Sequence, residues 1–116
     1  MAKKANQPGV GIDIIETERF TLMLKPGKKH QLNKFFTETE IKYCLGFKDA
    51  AVRLAGHFAA KEAVSKALGV REFPWLALEI RHNQNGAPEV WKNQKKLSVK
   101  ISISHIKNFA TAVAII

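Results

Sequence analysis

The chain has 116 residues, of which 46% are hydrophobic and 25% charged, and this balance fits one compact globular domain and excludes a disordered chain. Nineteen Lys and Arg residues against ten Asp and Glu residues give a formal net charge of +9. Such a surplus favours an anionic partner, such as nucleic acid, a phosphate-rich ligand or an acidic protein. A basic surface that only aids solubility is equally compatible with it.

The first predicted element is a buried strand over residues 9–15, because the run GVGIDII is apolar and rich in β-branched side chains. We expect residues 1–8 to be a flexible N-terminal extension and residues 9–116 to form a single domain. Alternation along the strand assigns two faces, Val10, Ile12 and Ile14 on one and Gly11, Asp13 and Ile15 on the other. A short helix is predicted in ETERFTLMLK, with Thr17 as its N-cap and Pro26-Gly27 as its end.

Two further helices are predicted in the middle of the chain. Thr37 is followed three residues later by Glu40, the pattern of a capping box, and that helix should end near Gly46. A longer helix is predicted over residues 50–68 and ends at Gly69. Its apolar stripe at helical spacing consists of Ala59, Ala60, Ala63, Val64, Ala67 and Leu68, with Glu62 and Lys66 outside it.

The last third of the chain is predicted to be β-structure. Strands are expected over residues 76–82, 88–91, 97–104 and 109–116, and the Asn-Gly turn in NQNGAP makes the first two a hairpin. A strand, then helices, then several strands predicts an α+β fold, with an antiparallel β-sheet packed against a long central helix and shorter helices. The single cysteine, Cys44, and the lack of a membrane-length apolar run or secretory signal lead us to expect a cytoplasmic protein with no membrane partner.

Few side chains suggest chemistry, and each has a structural explanation as well. Asp13 stands in a predicted buried strand, where a carboxylate needs a partner or a metal, but it could also cap the next helix. Glu62 and Lys66 are four residues apart, the spacing of an ordinary surface ion pair. Ser104 and His105 end a strand in SISH, where they could hold a phosphate or simply be solvated. No zinc pattern and no nucleotide-binding glycine motif occurs in the sequence.

Three blocks in this order resemble the signature blocks of the holo-acyl-carrier-protein synthases, the small trimeric branch of the 4′-phosphopantetheinyl transferases. GVGIDIIETERF is similar to the family's G-[IV]-D-[IL]-x-x-x-x-R pattern, and FAAKEAVSKALG to its F-x-x-K-E-[AS]-x-x-K-[AG] pattern. SISH, before the last strand, is similar to its S-[IL]-[ST]-H block. The resemblance covers residues 9 to 116. His57 is a departure from it, since family members often have Arg at that position.

The resemblance implies a Mg²⁺-dependent enzyme that transfers 4′-phosphopantetheine from coenzyme A to a serine of apo-acyl-carrier protein, in fatty acid biosynthesis. Asp13 and Glu62 would hold the metal, and Lys66 would act with them in catalysis. The implied coenzyme A contacts are Lys66, Gly69, Asn85, Gly86, Pro88, Ser104 and His105. The implied contacts with the carrier protein are Arg19, Met23 and Lys25. A homotrimer with active sites at subunit interfaces is also implied.

The alternative to an enzyme is a basic α+β module that binds nucleic acid or a phosphorylated ligand without chemistry. The net charge supports this alternative. The sequence carries no nucleic-acid-binding motif, and its aromatic residues are not grouped as a stacking platform. We therefore expect no nucleic-acid partner.

Overall fold

The computed structural model describes residues 9–70 and 74–116. The strands are β1 (Val10–Glu16), β2 (Leu78–His82), β3 (Pro88–Lys92), β4 (Lys95–Lys96), β5 (Lys100–His105) and β6 (Phe109–Ile115). The α-helices are α1 (Glu18–Met23), α2 (Glu38–Leu45) and α3 (Ala50–Leu68), and two 3₁₀ helices span Lys29–Lys34 and Trp75–Ala77. The expected flexible extension, residues 1–8, lies outside the described residues.

The predicted α+β class is confirmed, and the strands form two antiparallel sheets rather than one. The first sheet has the order β1-β6-β5, and the second is the meander β2-β3-β4. The chain ends therefore meet in the first sheet, where Asp13 of β1 pairs with Ala112 of β6. No helix in the described part of the chain is long and apolar enough to cross a membrane.

Helix α3 is the centre of the molecule, and its predicted bounds are confirmed. It is buried on nearly all sides, because one side packs against the sheets and another against α1, α2 and the first 3₁₀ helix. The helix ends in a Schellman motif, in which Gly69 has a φ of 73° and the Val70 amide donates to the Ser65 carbonyl over 3.0 Å.

A close approach of two backbones fixes β1 on α3. A Cβ atom at Gly11 would stand 1.9 Å from the carbonyl oxygen of Ala63 and 2.8 Å from the nitrogen of Ala67. Only glycine fits there, and only small residues on the helix let the strand lie so near it. The alanine-rich sequence of α3 thereby brings the middle of β1 beside the last two turns of the helix.

Two local predictions need correction, and a third is confirmed. The face of β1 formed by Val10, Ile12 and Ile14 was expected to be buried, but their exposures are 68%, 65% and 67%, because α3 covers only the opposite face of the sheet. Thr17 occupies the N-cap position of α1, but its hydroxyl makes no capping bond. The capping box of α2 is confirmed, with the Thr37 amide donating to Glu40 over 2.8 Å.

The strand predicted over residues 97–104 begins only at Lys100, and the short strand β4 before it was missed. Asn93 and Gln94 connect β3 to β4 with φ values of 51° and 66°. Both values are positive, as in the tight hairpin turns that usually contain glycine. The lack of glycine at this turn explains why the hairpin was not predicted.

Candidate active site

Asp13, Glu62 and Lys66 come together where β1 crosses the C-terminal half of α3. The Lys66 ammonium donates to the Ile12 carbonyl over 2.9 Å and lies 3.3 Å from Asp13 Oδ1. The Asp13 side chain is 17% exposed, and that of Lys66 is 52% exposed. The cluster is thus open to solvent on the lysine side and enclosed by strand and helix on the carboxylate side.

The Glu62 carboxyl lies close enough to Asp13 for their charges to interact. Partial burial raises the pKa of Glu62, and the negative charge of Asp13 raises it further. The positive charges of Lys66 and Arg19 act in the opposite direction. The site therefore holds two carboxylates that repel each other, with two cations nearby.

This pair has the donor set that suits Mg²⁺. Magnesium is bound through oxygen, commonly by one or two carboxylates together with water and substrate phosphates. No group of three or more His, Cys, Asp or Glu side chains placed to hold a metal occurs among residues 9–70 and 74–116. Two mutually repelling carboxylates without a third protein ligand fit a magnesium ion that shares its coordination with a substrate, and do not fit a closed structural metal site.

A separate cavity of about 240 Å³ lies at the other end of α3. Its wall consists of residues of α2, α3, β2, β3, β5 and the β2–β3 loop, namely Tyr43, Val52, Arg53, Gly56, His57, His82, Gly86, Pro88, Ile101, Ser102, Ile103 and His105. Three of the residues expected to contact coenzyme A, Gly86, Pro88 and His105, are among them. Histidine and arginine side chains make this wall suitable for an anion.

The remaining residues implied by the resemblance lie outside both groups. Gly69 caps α3 one turn beyond Lys66. The Asn85 amide donates to Asn83 Oδ1 over 2.8 Å in the β2–β3 loop, and Ser104 lies at the exposed end of β5. Within one chain, therefore, the carboxylate cluster and the cavity are two separate places.

The three predicted docking residues lie on or just after α1. The Arg19 guanidinium is 4.6 Å from the ring centroid of Phe58 and 5.2 Å from that of Phe35, so the exposed arginine is held over aromatic rings. Met23 is half-buried and Lys25 is exposed. Since Arg19 also influences the pKa of Glu62, this surface adjoins the carboxylate cluster.

Sequence reasoning missed a buried ion pair next to the site. Lys61 and Glu40 are both fully buried and lie 2.5 Å apart, and Lys61 also donates to the carbonyls of Phe35 and Trp75. Two features of the sequence could have indicated this pair. Lys61 stands among alanines that were predicted to be buried, and Glu40 was already assigned to the capping box of α2. Arg53, Tyr43 and His82 in the cavity wall were also missed, and nothing in their local sequence marks them.

Comparisons with known proteins show the family to which the chain belongs. A family model for the 4′-phosphopantetheinyl transferase superfamily matches residues 9–114. A holo-[acyl-carrier-protein] synthase of Chlorobaculum parvum is 43% identical over 112 residues, which cover 92% of this chain and 96% of that protein. The chain belongs to the 4′-phosphopantetheinyl transferase superfamily.

Solved structures of the family share the fold. The holo-(acyl-carrier-protein) synthase of Bacillus anthracis, in complex with CoA (3′,5′-ADP), matches with a TM-score of 0.78 and 38% identity, covering 92% of this chain and 93% of that one. The Helicobacter pylori enzyme in complex with coenzyme A matches with a TM-score of 0.75 and 35% identity, covering 90% and 96%. The chain is therefore a phosphopantetheinyl transferase, and the alternative of a binding module without chemistry is rejected.

Proposed function

We propose that this chain transfers 4′-phosphopantetheine from coenzyme A to a serine hydroxyl of apo-acyl-carrier protein, releasing adenosine 3′,5′-bisphosphate, in the cytoplasm and in support of fatty acid biosynthesis. The observation that carries the proposal is the placement of Asp13, Glu62 and Lys66 at one crossing of β1 and α3. The relatives named holo-[acyl-carrier-protein] synthase and the coenzyme A complexes of similar chains support the same substrates.

Asp13 and Glu62 would hold Mg²⁺ against the pyrophosphate of coenzyme A. When bound, the metal would neutralise charge on the pyrophosphate and on the leaving phosphate. Without it, the two carboxylates repel each other, which is one cause of the raised pKa of Glu62. The Lys66 ammonium, which contacts Asp13 in this structure, would move to the phosphates when they arrive, because it is the more exposed member of the pair.

The remaining chemistry is a phosphoryl transfer. The serine oxygen attacks the phosphorus that carries the pantetheine arm, and the bond from this phosphorus to the bridging oxygen breaks. The 5′-phosphate of adenosine 3′,5′-bisphosphate leaves with the electron pair of that bond. Glu62, or a water molecule beside it, would take the proton of the serine hydroxyl. Lys66 balances the charge on the phosphoryl oxygens.

The cavity beside His57 would receive the nucleotide end of coenzyme A. In one chain this cavity and the carboxylate cluster share no lining residue. We propose that the chain forms a homotrimer in which the cluster of one subunit meets the cavity of the next. The exposed apolar face of β1 supports such an assembly, because an apolar sheet face of this kind marks an interaction surface.

The carrier protein would dock on α1. Arg19 and Lys25 are exposed, and Met23 offers an apolar contact between them. An acidic carrier protein would be attracted to this basic surface over a long range. This attraction would also account for the net charge of +9. Because Arg19 influences Glu62, a serine delivered at this surface would arrive near the carboxylate pair.

The proposal is tested by mass spectrometry of the carrier protein. The chain is incubated with coenzyme A, Mg²⁺ and apo-carrier proteins of fatty acid and polyketide synthesis, with one arm containing a chelator. We expect the phosphopantetheine mass to be added to the fatty acid carrier, and the addition to stop in the chelator arm. No added mass on any carrier would contradict the proposed reaction, and full activity with chelator would contradict the role of magnesium.

A further inference from the structure

Two histidines face each other in the cavity wall through the same ring atom. His57 on α3 and His82 at the end of β2 place their Nε2 atoms 3.1 Å apart, which is a hydrogen-bond distance. His57 is 3% exposed, whereas His82 is half-buried. A hydrogen bond between these atoms requires a hydrogen on one Nε2 atom and a free lone pair on the other.

The other ring nitrogens restrict which protonation state is possible. The His57 Nδ1 atom lies 2.9 Å from the carbonyl oxygen of Arg53, and the His82 Nδ1 atom lies 3.3 Å from the carbonyl oxygen of Gly86. A carbonyl oxygen only accepts, so each Nδ1 atom donates. A neutral imidazole that carries its hydrogen on Nδ1 has none on Nε2.

With both rings neutral, the three contacts cannot all be hydrogen bonds. Two bare Nε2 atoms would face each other, or one ring would turn its Nδ1 lone pair toward a carbonyl oxygen. One added proton removes this conflict, because a protonated ring donates from both nitrogens while its neutral partner accepts. The geometry is therefore complete only when the pair carries one positive charge.

His82 is the ring that would hold the added proton. It is the more exposed of the two, and it stacks on Tyr43 with the ring centroids 4.1 Å apart and the planes at 9°, which suits a cation over an aromatic face. Burial lowers the pKa of His57 to about 4, so that ring stays neutral. Cys44 lies 3.5 Å from His57 Nδ1, and burial raises the pKa of its thiol to about 12. The thiol therefore stays neutral and does not offset a positive charge on the histidine pair.

We propose that His82 takes up a proton when a phosphate group enters this cavity, so that the His57–His82 pair becomes a charged phosphate-binding group only when its ligand is present. The ligand class is a phosphate monoester, and the inference rests on the proposed function in identifying it as the 3′-phosphate of coenzyme A.

The surroundings explain why the ligand is needed. The titratable and charged groups around the pair are Tyr43 and Cys44 on α2, Arg53 and Lys61 on α3, His105 on β5, and Asp49, which precedes α3 and pairs with Arg53 over 3.2 Å. Among the described residues that line the cavity there is no carboxylate. Burial, followed by the charge of Arg53, lowers the pKa of His82, and the Gly86 carbonyl acts in the opposite direction. Without an anion the proton is therefore disfavoured at neutral pH, and a phosphate supplies the missing negative charge.

Calorimetry of adenosine 3′,5′-bisphosphate binding tests the inference. The heat of binding is measured at pH 7 in two buffers of different ionisation enthalpy, which gives the number of protons taken up. We expect the wild type to take up about one proton more than His82→Gln, and its affinity to rise about tenfold more than that of the variant from pH 8 to pH 6. The nucleotide's own phosphates also titrate, but they contribute equally to both proteins.

Two further variants sharpen the comparison. His57→Arg supplies a permanent charge, so its binding should lose the extra proton uptake, whereas His30→Gln changes an exposed histidine outside the cavity and should match the wild type. Equal proton uptake by wild type and His82→Gln would overturn the inference even if transferase activity is normal. If the carrier is never modified but His82-dependent proton uptake is seen, the proposed function fails and the pair still binds phosphate.

If His82→Gln does not fold, nitrogen NMR of the wild-type histidines tests the inference instead. Protonation of both His82 nitrogens on addition of the nucleotide at pH 7 would support the inference. A His82 ring that stays neutral in the nucleotide complex would overturn it. Failure of the wild type to bind the nucleotide at all would contradict both the inference and the proposed function.

Discussion

Lys61 and Glu62 are neighbours in the sequence, yet the structure gives them opposite environments. Lys61 is fully buried against Glu40 of α2, whereas Glu62 points to the crossing with β1 and is partly open to solvent. Successive residues on a helix differ by about 100° in direction, so neighbours reach different surfaces. The buried lysine therefore fixes the orientation of α3 against α2 and, with it, the direction in which Glu62 points.

The interaction between the two site carboxylates is tested by titration. Asp13→Asn removes the negative charge that raises the pKa of Glu62, so that pKa should fall. In the metal-free protein, Glu62 of the variant should therefore lose its proton at a lower pH than Glu62 of the wild type. Carbon NMR of the glutamate carboxyl groups without metal measures the shift, and Glu38→Gln, at an exposed carboxylate, serves as the control. An unchanged Glu62 pKa in Asp13→Asn would show that the two carboxylates do not interact.

The buried Lys61–Glu40 pair is tested by stability. Lys61→Met leaves the Glu40 carboxylate buried without its cation and should lower the free energy of unfolding by about 3–5 kcal/mol. The double variant Glu40→Gln/Lys61→Met should lose less than the sum of the two single variants. Denaturant unfolding measures these values, with Lys42→Met at an exposed lysine as the control. A loss below about 1 kcal/mol in Lys61→Met would contradict a stabilising role for the buried ion pair.

At the scale of elements, the crossing of β1 and α3 positions the carboxylate cluster. Asp13 is two residues from Gly11 on the same face of the strand, and Glu62 directly precedes Ala63, whose carbonyl Gly11 contacts. Moving the strand away from the helix would therefore separate the two carboxylates. Both the hydrophobic core and the carboxylate cluster therefore depend on the close approach of β1 and α3.

Gly11→Ala tests this crossing. The new methyl group would collide with the Ala63 carbonyl, so the strand must shift or unfold, and we expect a loss of at least about 3 kcal/mol of stability together with loss of activity. Gly27→Ala is the matched control, because its Cβ would meet open space and only its φ of 81° is unfavourable. That control should cost about 1 kcal/mol. A stable, active Gly11→Ala variant would contradict the proposed role of the close approach.

Some elements and contacts were predicted from the sequence and others were not. The difference is whether the residues responsible lie close together along the chain or meet only in the folded structure. The α2 capping box and the bounds of α3 rest on residues a few positions apart, and both were predicted. The Asp13–Glu62 cluster was predicted only through a family resemblance, because no local pattern connects a strand and a helix so distant along the chain. The Lys61–Glu40 and His57–His82 pairs depend on tertiary packing, so each member looked ordinary in its own segment.

For the molecule as a whole, the outer face of the first sheet is unusual because its apolar side chains are exposed in a single chain. Val10, Ile12 and Ile14 are each about two-thirds exposed on it. Antiparallel sheets often have one solvated face, but that face is then polar. An apolar outer face beside the carboxylate cluster fits the proposed subunit boundary.

Assembly is tested by charge substitution on this face. Ile12→Glu/Ile14→Lys leaves the net charge unchanged and should convert a trimer into single chains of 13.0 kDa. Light scattering measures the mass, and Leu22→Glu, on α1, is the control at another exposed apolar residue. Transferase activity should be lost together with the trimer. A wild type that is monomeric and fully active would contradict an active site shared between subunits.

The proposed transfer reaction depends above all on the Asp13–Glu62 pair. Its most direct test is the turnover number of carrier-protein modification at saturating coenzyme A, carrier and Mg²⁺, for the wild type, Asp13→Asn, Glu62→Gln and the exposed control Glu38→Gln. We expect each site variant, still folded by circular dichroism, to lose about a hundredfold or more in kcat while the control keeps the wild-type value. Near wild-type turnover in either folded site variant would contradict this role of the pair.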